Sequence, residues 1–431
     1  MLILNFLKGK SDFSLSLESQ IAGAYKQNLF VDKFVFELQN IRMWIDRKYE
    51  KTLSAMAEQF PVLLVTGARQ VGKTSLVRKV FPDFDYVALD IPSLAEQAEK
   101  SPDSLLNSRK EPLIIDEVQY APAIFRYLKA RVDEKKTPGR FILTGSQNFL
   151  LMQNISESLA GRCGVMSMLN LSASELRTTF ASFDEDEYLF KGGYPEIYEK
   201  PEIDPHFWYA SYLSTYLERD VRNIINVGSL RDFDRFLRAV AIRTGQILSY
   251  SELARDVGIA PNTAKSWISV LQASGQIILL EPYHRNLGKR LVKSPKLYMC
   301  DTGLAAFLMG FENWESIVRH PVVGALWETN IVMQVIRHYN AQGKMMPLWF
   351  WRTVHGAEVD LLIERGGQFI AVEAKFSEHP DRTSLKGINA LLNFYGDDSL
   401  ITGYVASRTP NPFPLTDRVH AVPGSLIDEF I

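Results

Sequence analysis

Val62-Leu63-Leu64-Val65-Thr66-Gly67-Ala68-Arg69-Gln70-Val71-Gly72-Lys73-Thr74 is an apolar run, a loop bounded by two glycines and the opening of a helix. In that order it predicts a buried strand leading into a G-x-x-x-x-G-K-T loop, the arrangement that cradles a polyphosphate. Dense negative charge needs many donors close together. Gly67 and Gly72 let the backbone wrap tightly. The helix opening near Gly72 adds its positive dipole end. Lys73 is placed to reach the β- and γ-phosphates, and the Thr74 hydroxyl to ligate Mg²⁺. Gly67, Ala68, Arg69, Gln70, Val71, Gly72, Lys73, Thr74 and Ser75 are the candidate nucleotide-binding residues.

Downstream the text alternates. It predicts a helix over 72–80, a strand at 86–89, a strand Leu113–Glu117 and a helix over 122–132. A strand at 141–144, a helix over 149–159 and a strand at 165–168 come next. Strands alternating with helices predict a parallel sheet covered on both faces, with ligands at the carboxyl ends of the strands. Leu113-Ile114-Ile115 buries a strand and Asp116-Glu117 emerges at its end. Asp116 is the candidate metal acid, and Glu117 the candidate base that activates an attacking water. Strand 141–144 runs into Gly145-Ser146-Gln147-Asn148, between the loop and Asp116. Ser146, then Asn148, is the candidate contact for the γ-phosphate or the water. Arg162, just before the next strand, is a candidate to complete a neighbouring subunit's site or a plain surface arginine.

Composition bounds the rest. At 431 residues the chain has room for about three domains. Its net charge of −2 advertises no global affinity for nucleic acid, so any such surface is local. Cys163 and Cys300 lack the spacing of a disulfide framework or a metal site, which fits a cytoplasmic location. No apolar run reaches the ~18 residues of a membrane span, and residues 1–7 lack the flanks of a signal peptide. The domain proper is expected to start near Met43, with residues 1–42 an extension or a consequence of start-site choice.

Residues 43–170 resemble an AAA-type (AAA+) ATPase domain. Gly67–Thr74 corresponds to Walker A, Leu113–Glu117 to Walker B, Thr144–Asn148 to sensor 1 and Arg162 to the arginine-finger position. The wider chain, over about 43–408, resembles bacterial and archaeal ATP-binding proteins that join this ATPase to a C-terminal domain of unknown function. Gly192-Gly193-Tyr194-Pro195-Glu196 and Tyr216-Leu217-Glu218-Arg219-Asp220 carry that wider likeness. The resemblance implies ATP and Mg²⁺ as cofactors.

Residues 232–296 read as a winged helix. Phe233, Phe236, Leu237 and Val240 share a helical face. Ser251 is a plausible cap for a short helix over 251–258. A turn then leads to a helix from Pro261 whose leading residues are small and polar, with Lys265 among them. Arg285, Lys289, Arg290, Lys293 and Lys296 crowd the hairpin beyond it, a local surface for nucleic-acid phosphates. A protein-binding module with a solvated basic loop is the alternative. Further on, two apolar runs flank Gly366-Gly367, a hairpin signal. A turn centred there pairs residues whose numbers sum to 733, setting Asp360 opposite Glu373, with Lys375 on the same face. Asp360 and Glu373-Ala374-Lys375 resemble the PD-(D/E)xK nuclease pattern of the restriction-endonuclease-like fold. Glu328, on a helix over 322–338, matches the acid that often completes it. That likeness implies Mg²⁺ held by Glu328, Asp360 and Glu373, with Lys375 positioning water. A structural hairpin is the alternative.

The expected fold is therefore α/β: an extension (1–42), an AAA+-type P-loop NTPase domain with a parallel sheet (43–175) and a helical linker or lid (176–231). A winged helix-turn-helix (232–310) and a restriction-endonuclease-like α/β domain (311–431) complete it. The expected function is an ATPase that drives or switches a DNA-binding, nuclease-like module. An ATP-gated Mg²⁺-dependent nuclease and a non-hydrolysing, nucleotide-switched DNA-binding regulator are the alternatives. The expected partners are DNA, with RNA as the alternative, and further copies of the chain; no membrane is implied.

Overall fold

The computed structural model describes residues 44–146, 157–217, 230–283, 294–344 and 347–431. Residues 1–42, Gln147, Asn148, Glu218, Arg219, Asp220, Arg285, Lys289, Arg290 and Lys293 lie outside the described residues. The chain divides into Met1–Trp44 and Ile45–Ile431, and the second unit holds every element named below.

Strand β1 (Val62–Gly67) is buried at every residue. It is covered on both faces, as strands of a parallel sheet are. Its side chains alternate between two cores: Val62 and Leu64 face one, Leu63 and Val65 the other. β2 (Asp85–Ala88), β3 (Leu113–Asp116), β4 (Phe141–Ser146) and β5 (Cys163–Ser167) complete the sheet. Its order is β2-β3-β4-β1-β5, and all pairings are parallel. β4 thus lies between the phosphate-loop strand and the strand that carries Asp116. The expected strands are all present, with ends shifted by up to two residues. Most of the helix expected over 149–159 lies outside the described residues.

The second core does not stop at this sheet. It runs from Leu63 and Val65 through Tyr194, Trp208 and Phe236 to Leu304 and Leu326. The middle of the chain is thereby packed onto one face of the ATPase sheet. Trp208 and Tyr212 stack there with ring centroids 5.2 Å apart. Each large apolar side chain buried in this way contributes about 1.5–3 kcal/mol.

The segment expected as a winged helix forms helix 230–242, β6 (Gln246–Ile247), helix 250–257, helix 261–273, β7 (Ile277–Leu280) and β8 (Lys296–Met299). The three strands pair in the order β6-β8-β7. Helix 250–257 is capped by Ser249, which accepts from the Glu252 amide, and not by Ser251. The helix starts one residue earlier than expected, and the cap moves with it. Lys265 is exposed on helix 261–273.

The last third is a six-stranded mixed sheet in the order β13-β14-β12-β11-β10-β9. Its strands are β9 (Leu348–Arg352), β10 (Glu358–Arg365), β11 (Gln368–Lys375), β12 (Leu400–Ser407), β13 (Phe413–Pro414) and β14 (Val419–Pro423). The β10–β11 register runs from Leu361↔Val372 to Arg365↔Gln368, the pairing that a turn on Gly366-Gly367 requires. Helix 323–341 lies against this sheet, with Trp327, Ile331 and Val335 in the core shared with β10 and β11.

Buried polar joints tie the parts together. Asp301 accepts from the amides of Gly193 and Leu304 at 2.7 Å, from the Tyr209 hydroxyl at 2.7 Å and from the Asn170 amide group. Arg337 in turn donates to Asn170 Oδ1 and to the Cys300 carbonyl. Residues from before, within and after the middle segment therefore share one hydrogen-bonded knot.

Candidate functional site

The phosphate loop begins where β1 ends. A Cβ on Gly67 would lie 2.1 Å from the Met168 carbonyl oxygen, so only glycine fits beside the segment that leaves β5. Gly72 holds φ at 93° as the N-cap of helix 73–80. Gln70, with φ 62°, is a left-handed residue without the excuse of being glycine. The loop is stored in a strained shape, which rigid surroundings must hold.

Arg47 is part of those surroundings. It is 6% exposed, and its guanidinium donates to the Val71 carbonyl at 2.8 Å and to the Leu169 carbonyl at 2.7 Å. It also pairs with Glu175 at 3.0 Å. Burial works against charge on Glu175, but Arg47 and the amides of Ser172 and Lys48 more than offset it, so its pKa is lowered. Lys73 donates to the carbonyls of Gly67 and Ala68 at 3.1 and 2.8 Å, which draws its ammonium into the cup of the loop.

Asp116 gathers hydroxyls. Thr74 Oγ1 donates to its carboxylate at 2.9 and 3.0 Å, the Tyr86 hydroxyl at 2.8 Å, and Thr144 also donates. Burial and Asp116 hold the Tyr86 phenol protonated well above its usual range. Glu117 sits at φ 55°, ψ 46°, a left-handed conformation uncommon for a residue with a side chain. Its amide donates to Thr144 Oγ1 at 3.2 Å, and its carboxylate accepts from Gln119. Strained backbone at the end of a strand is characteristic of positions that must aim a side chain. Thr74 and Asp116 offer a hydroxyl and a carboxylate on adjoining elements, the hard oxygen set that Mg²⁺ takes together with phosphate oxygens. A cleft of about 450 Å³ opens beside them, lined by Thr74, Ser75, Arg78 and Tyr86 among others.

Sequence alone does not assign Tyr86 or Arg47 to this site, and it includes Thr144 only as the first residue of the stretch that resembles sensor 1. Thr144 had a signal, since it lies two residues before Ser146 on the same strand and so on the same face. Ser146 pairs with Gly67, is buried, and its hydroxyl finds no partner among the described residues. Arg162 stands at the other end of the sheet. Its carbonyl accepts from the amide of Val62, at the start of β1, and its guanidinium pairs with Asp133 at 2.6 Å. Within its own subunit it does not reach the loop.

The second group of expected residues gathers at the C-terminal sheet, with a different membership. Carboxylate oxygens of Glu328, Glu358 and Asp360 lie within 4.8 Å of one another. Glu358 joins the expected acids, and Glu373 stands outside that trio. The regular pairing stops at Leu361↔Val372, one pair short of Asp360 and Glu373, and there Asp360 Oδ2 accepts from the Ala374 amide at 2.8 Å. β10 also carries a register irregularity against β9 between Val359 and Leu362, which turns that end of the strand. Lys375 pairs with Glu373 at 2.9 Å and comes within 3.9 Å of Asp360. Burial, then the charge of Asp360, pushes Glu328 up to about 7 and Glu373 up to about 8.

Residues 59–177 match the family described as AAA domain. Residues 182–315 and 323–427 match two domains of unknown function. An uncharacterized protein of Mycobacterium tuberculosis is 32% identical over 373 residues, which cover 85% of this chain and 81% of that protein. An uncharacterized protein of Mycobacterium bovis matches to the same extent. The chain belongs to this P-loop AAA family. Its AAA domain holds the phosphate loop and Asp116, and the two domains of unknown function come after it in order. Among solved structures, a Walker-type ATPase of Pyrococcus abyssi is 18% identical, with 62% of this chain and 96% of that chain covered at a TM-score of 0.43. AMPPCP-bound DnaA of Aquifex aeolicus is 12% identical, covering 51% and 84% at a TM-score of 0.27. Likenesses this distant carry no argument about what the AAA domain of this chain does.

Proposed function

We propose that the protein binds Mg²⁺–ATP at the phosphate loop, hydrolyses it with Glu117 as the base, and uses the cycle to reposition the module that begins at residue 230. The observation that carries this reading is a contact. The turn after helix 261–273 sits directly on the loop: a Cβ on Gly275 would lie 3.4 Å from the Ala68 nitrogen. Any change in the loop on binding a triphosphate is felt first by that turn. Lys73 would leave the Gly67 and Ala68 carbonyls for the phosphates. Asp116, steadied by Tyr86 and Thr144, and Thr74 would hold the ion, which when bound neutralises charge on the phosphate oxygens. Glu117, held by its left-handed backbone, would take the proton of the attacking water.

The module's element order and its β6-β8-β7 sheet support its reading as a winged helix, and exposed Lys265 supports DNA as its partner. Fold alone does not assign that role. Arg162, far from its own loop, is a candidate to serve a neighbouring copy. The experiment is ATP turnover with and without DNA at a defined oligomeric state. Lys73→Ala is expected to abolish nucleotide binding, and Glu117→Gln to keep binding while losing turnover. Tight binding without turnover in the wild type would leave only the non-hydrolysing switch. Absence of nucleotide binding by correctly folded protein would end the reading.

A further inference from the structure

The carboxylates of the C-terminal sheet resemble a metal site, yet the chain supplies its own cation for them. Lys296 lies on β8, the middle strand of the three-stranded sheet, between Ile247 on β6 and Leu280 on β7. Its side chain is 3% exposed. The ammonium contacts Glu328 Oε1 at 2.7 Å, pairs directly with Glu358 Oε1 and lies 3.9 Å from Asp360 Oδ1. These are the same three carboxylates whose oxygens are close enough to share a metal ion. Tyr298, two residues along the strand and so on the same face, donates to the same Glu328 oxygen at 2.6 Å.

A divalent ion bound by this trio would sit about 2.0–2.6 Å from those oxygens, inside the volume that the ammonium fills. Two cations cannot share it: they would repel at contact distance in a buried setting. Lys296 has no easy retreat. Its backbone is paired on both edges, and its ammonium lies 5.8 Å from the centre of the Phe350 ring. Lys375, more than a third exposed, occupies the other side and pairs with Glu373.

We propose that Lys296 is the resident cation of this cluster, so that the C-terminal sheet carries a metal-free imitation of a nuclease site. The site then works as a clamp. Lys296 belongs to the segment matched at 182–315 and its acids to the segment matched at 323–427. The charge that excludes the metal also joins the two domains.

Mn²⁺ binding to the nucleotide-free full-length chain, read by calorimetry and by electron paramagnetic resonance, tests this. The wild type is expected to show no site that Asp360→Asn removes. Lys296→Met is expected to gain one Mn²⁺ site, at least tenfold tighter than any in the wild type, and to lose it when Asp360→Asn is added. Its melting temperature should rise with Mn²⁺ while that of the wild type does not. A wild-type Mn²⁺ site abolished by Asp360→Asn would overturn the proposal, and this comparison stands even if Lys296→Met does not fold. A folded Lys296→Met that gains no site would overturn it as well.

Discussion

The molecule contains two carboxylate centres, and they balance their charge in opposite ways. Around Asp116 the partners are hydroxyls, from Thr74, Tyr86 and Thr144. Hydroxyls steady a carboxylate without neutralising it, and they can reorient when an ion arrives. Around Glu328, Glu358 and Asp360 the partner is a buried ammonium on a central strand. It sets one positive charge among the three acids, with Arg352 on Glu358 and Lys375 near Asp360 at the margin, and leaves no room for another cation. The first centre is poised for a ligand; the second is already satisfied. Both are made of residue types that bind Mg²⁺, so composition alone does not separate a working site from a structural one.

The contrast can be broken at its strongest point first. Glu117→Gln should cut ATP turnover by roughly 10²–10⁴-fold, the usual weight of a general base, with folding stability unchanged. A phosphate-release assay beside a urea melt reads both. At the other centre the effects should be reversed. Lys296→Met should leave nucleotide affinity intact and cost about 3–5 kcal/mol of stability, because three carboxylates lose their buried counter-charge. Equal melts for mutant and wild type without metal would show that Lys296 holds nothing together.

A smaller effect tests whether the first centre is linked to the module beyond it. A Cβ on Gly275 would lie 3.6 Å from the Ala68 Cβ. That falls within the ~3.5–4.5 Å that a disulfide spans. Ala68→Cys with Gly275→Cys should therefore cross-link on oxidation and lower ATP turnover about tenfold, with recovery on reduction; turnover that ignores the cross-link would argue against coupling through this contact. The native thiols should interfere little, since burial pushes both Cys163 and Cys300 up to about 12.

The smallest effect is a pH slope. Glu328 and Glu373 are raised from 4.5 to about 7 and about 8, by burial first and then by Asp360. In the fold they keep protons that the unfolded chain releases. The stability they add is complete below about pH 4.5 and is lost as the pH rises through about 7 and then 8. Glu373→Gln should flatten that slope by up to about 1.4 kcal/mol per pH unit, the linkage weight of one proton, since the amide needs no proton to stay neutral. Denaturant melts at pH 5, 7 and 9 would show it, and identical slopes for both proteins would remove Glu373 from the account.

How far each centre is legible in the sequence depends on how it is built. Gly67 to Thr74 is contiguous, and its glycines, lysine and threonine mark strand, loop and helix start in one line. Asp116-Glu117 at the end of an apolar strand is equally plain. The register at Gly366-Gly367 comes from a local turn, and it holds along β10 and β11 as far as Leu361↔Val372. Ser249 rather than Ser251 caps its helix because the two serines offer the same chemistry two residues apart. Tyr86 and Lys296 give no local signal at all: one is an aromatic residue in a strand, the other one lysine in a basic stretch.

Sequence by itself determined the parts whose chemistry lies within a few bonds of itself: the phosphate loop, the alternating strands and helices, and the glycine turn. Tertiary structure alone decided which side chains meet Asp116, which turn rests on Ala68, and that an ammonium stands among Glu328, Glu358 and Asp360. The reason is one of range. Backbone conformation answers to neighbours along the chain, whereas the charge at a buried site answers to whatever strand the topology sets beside it.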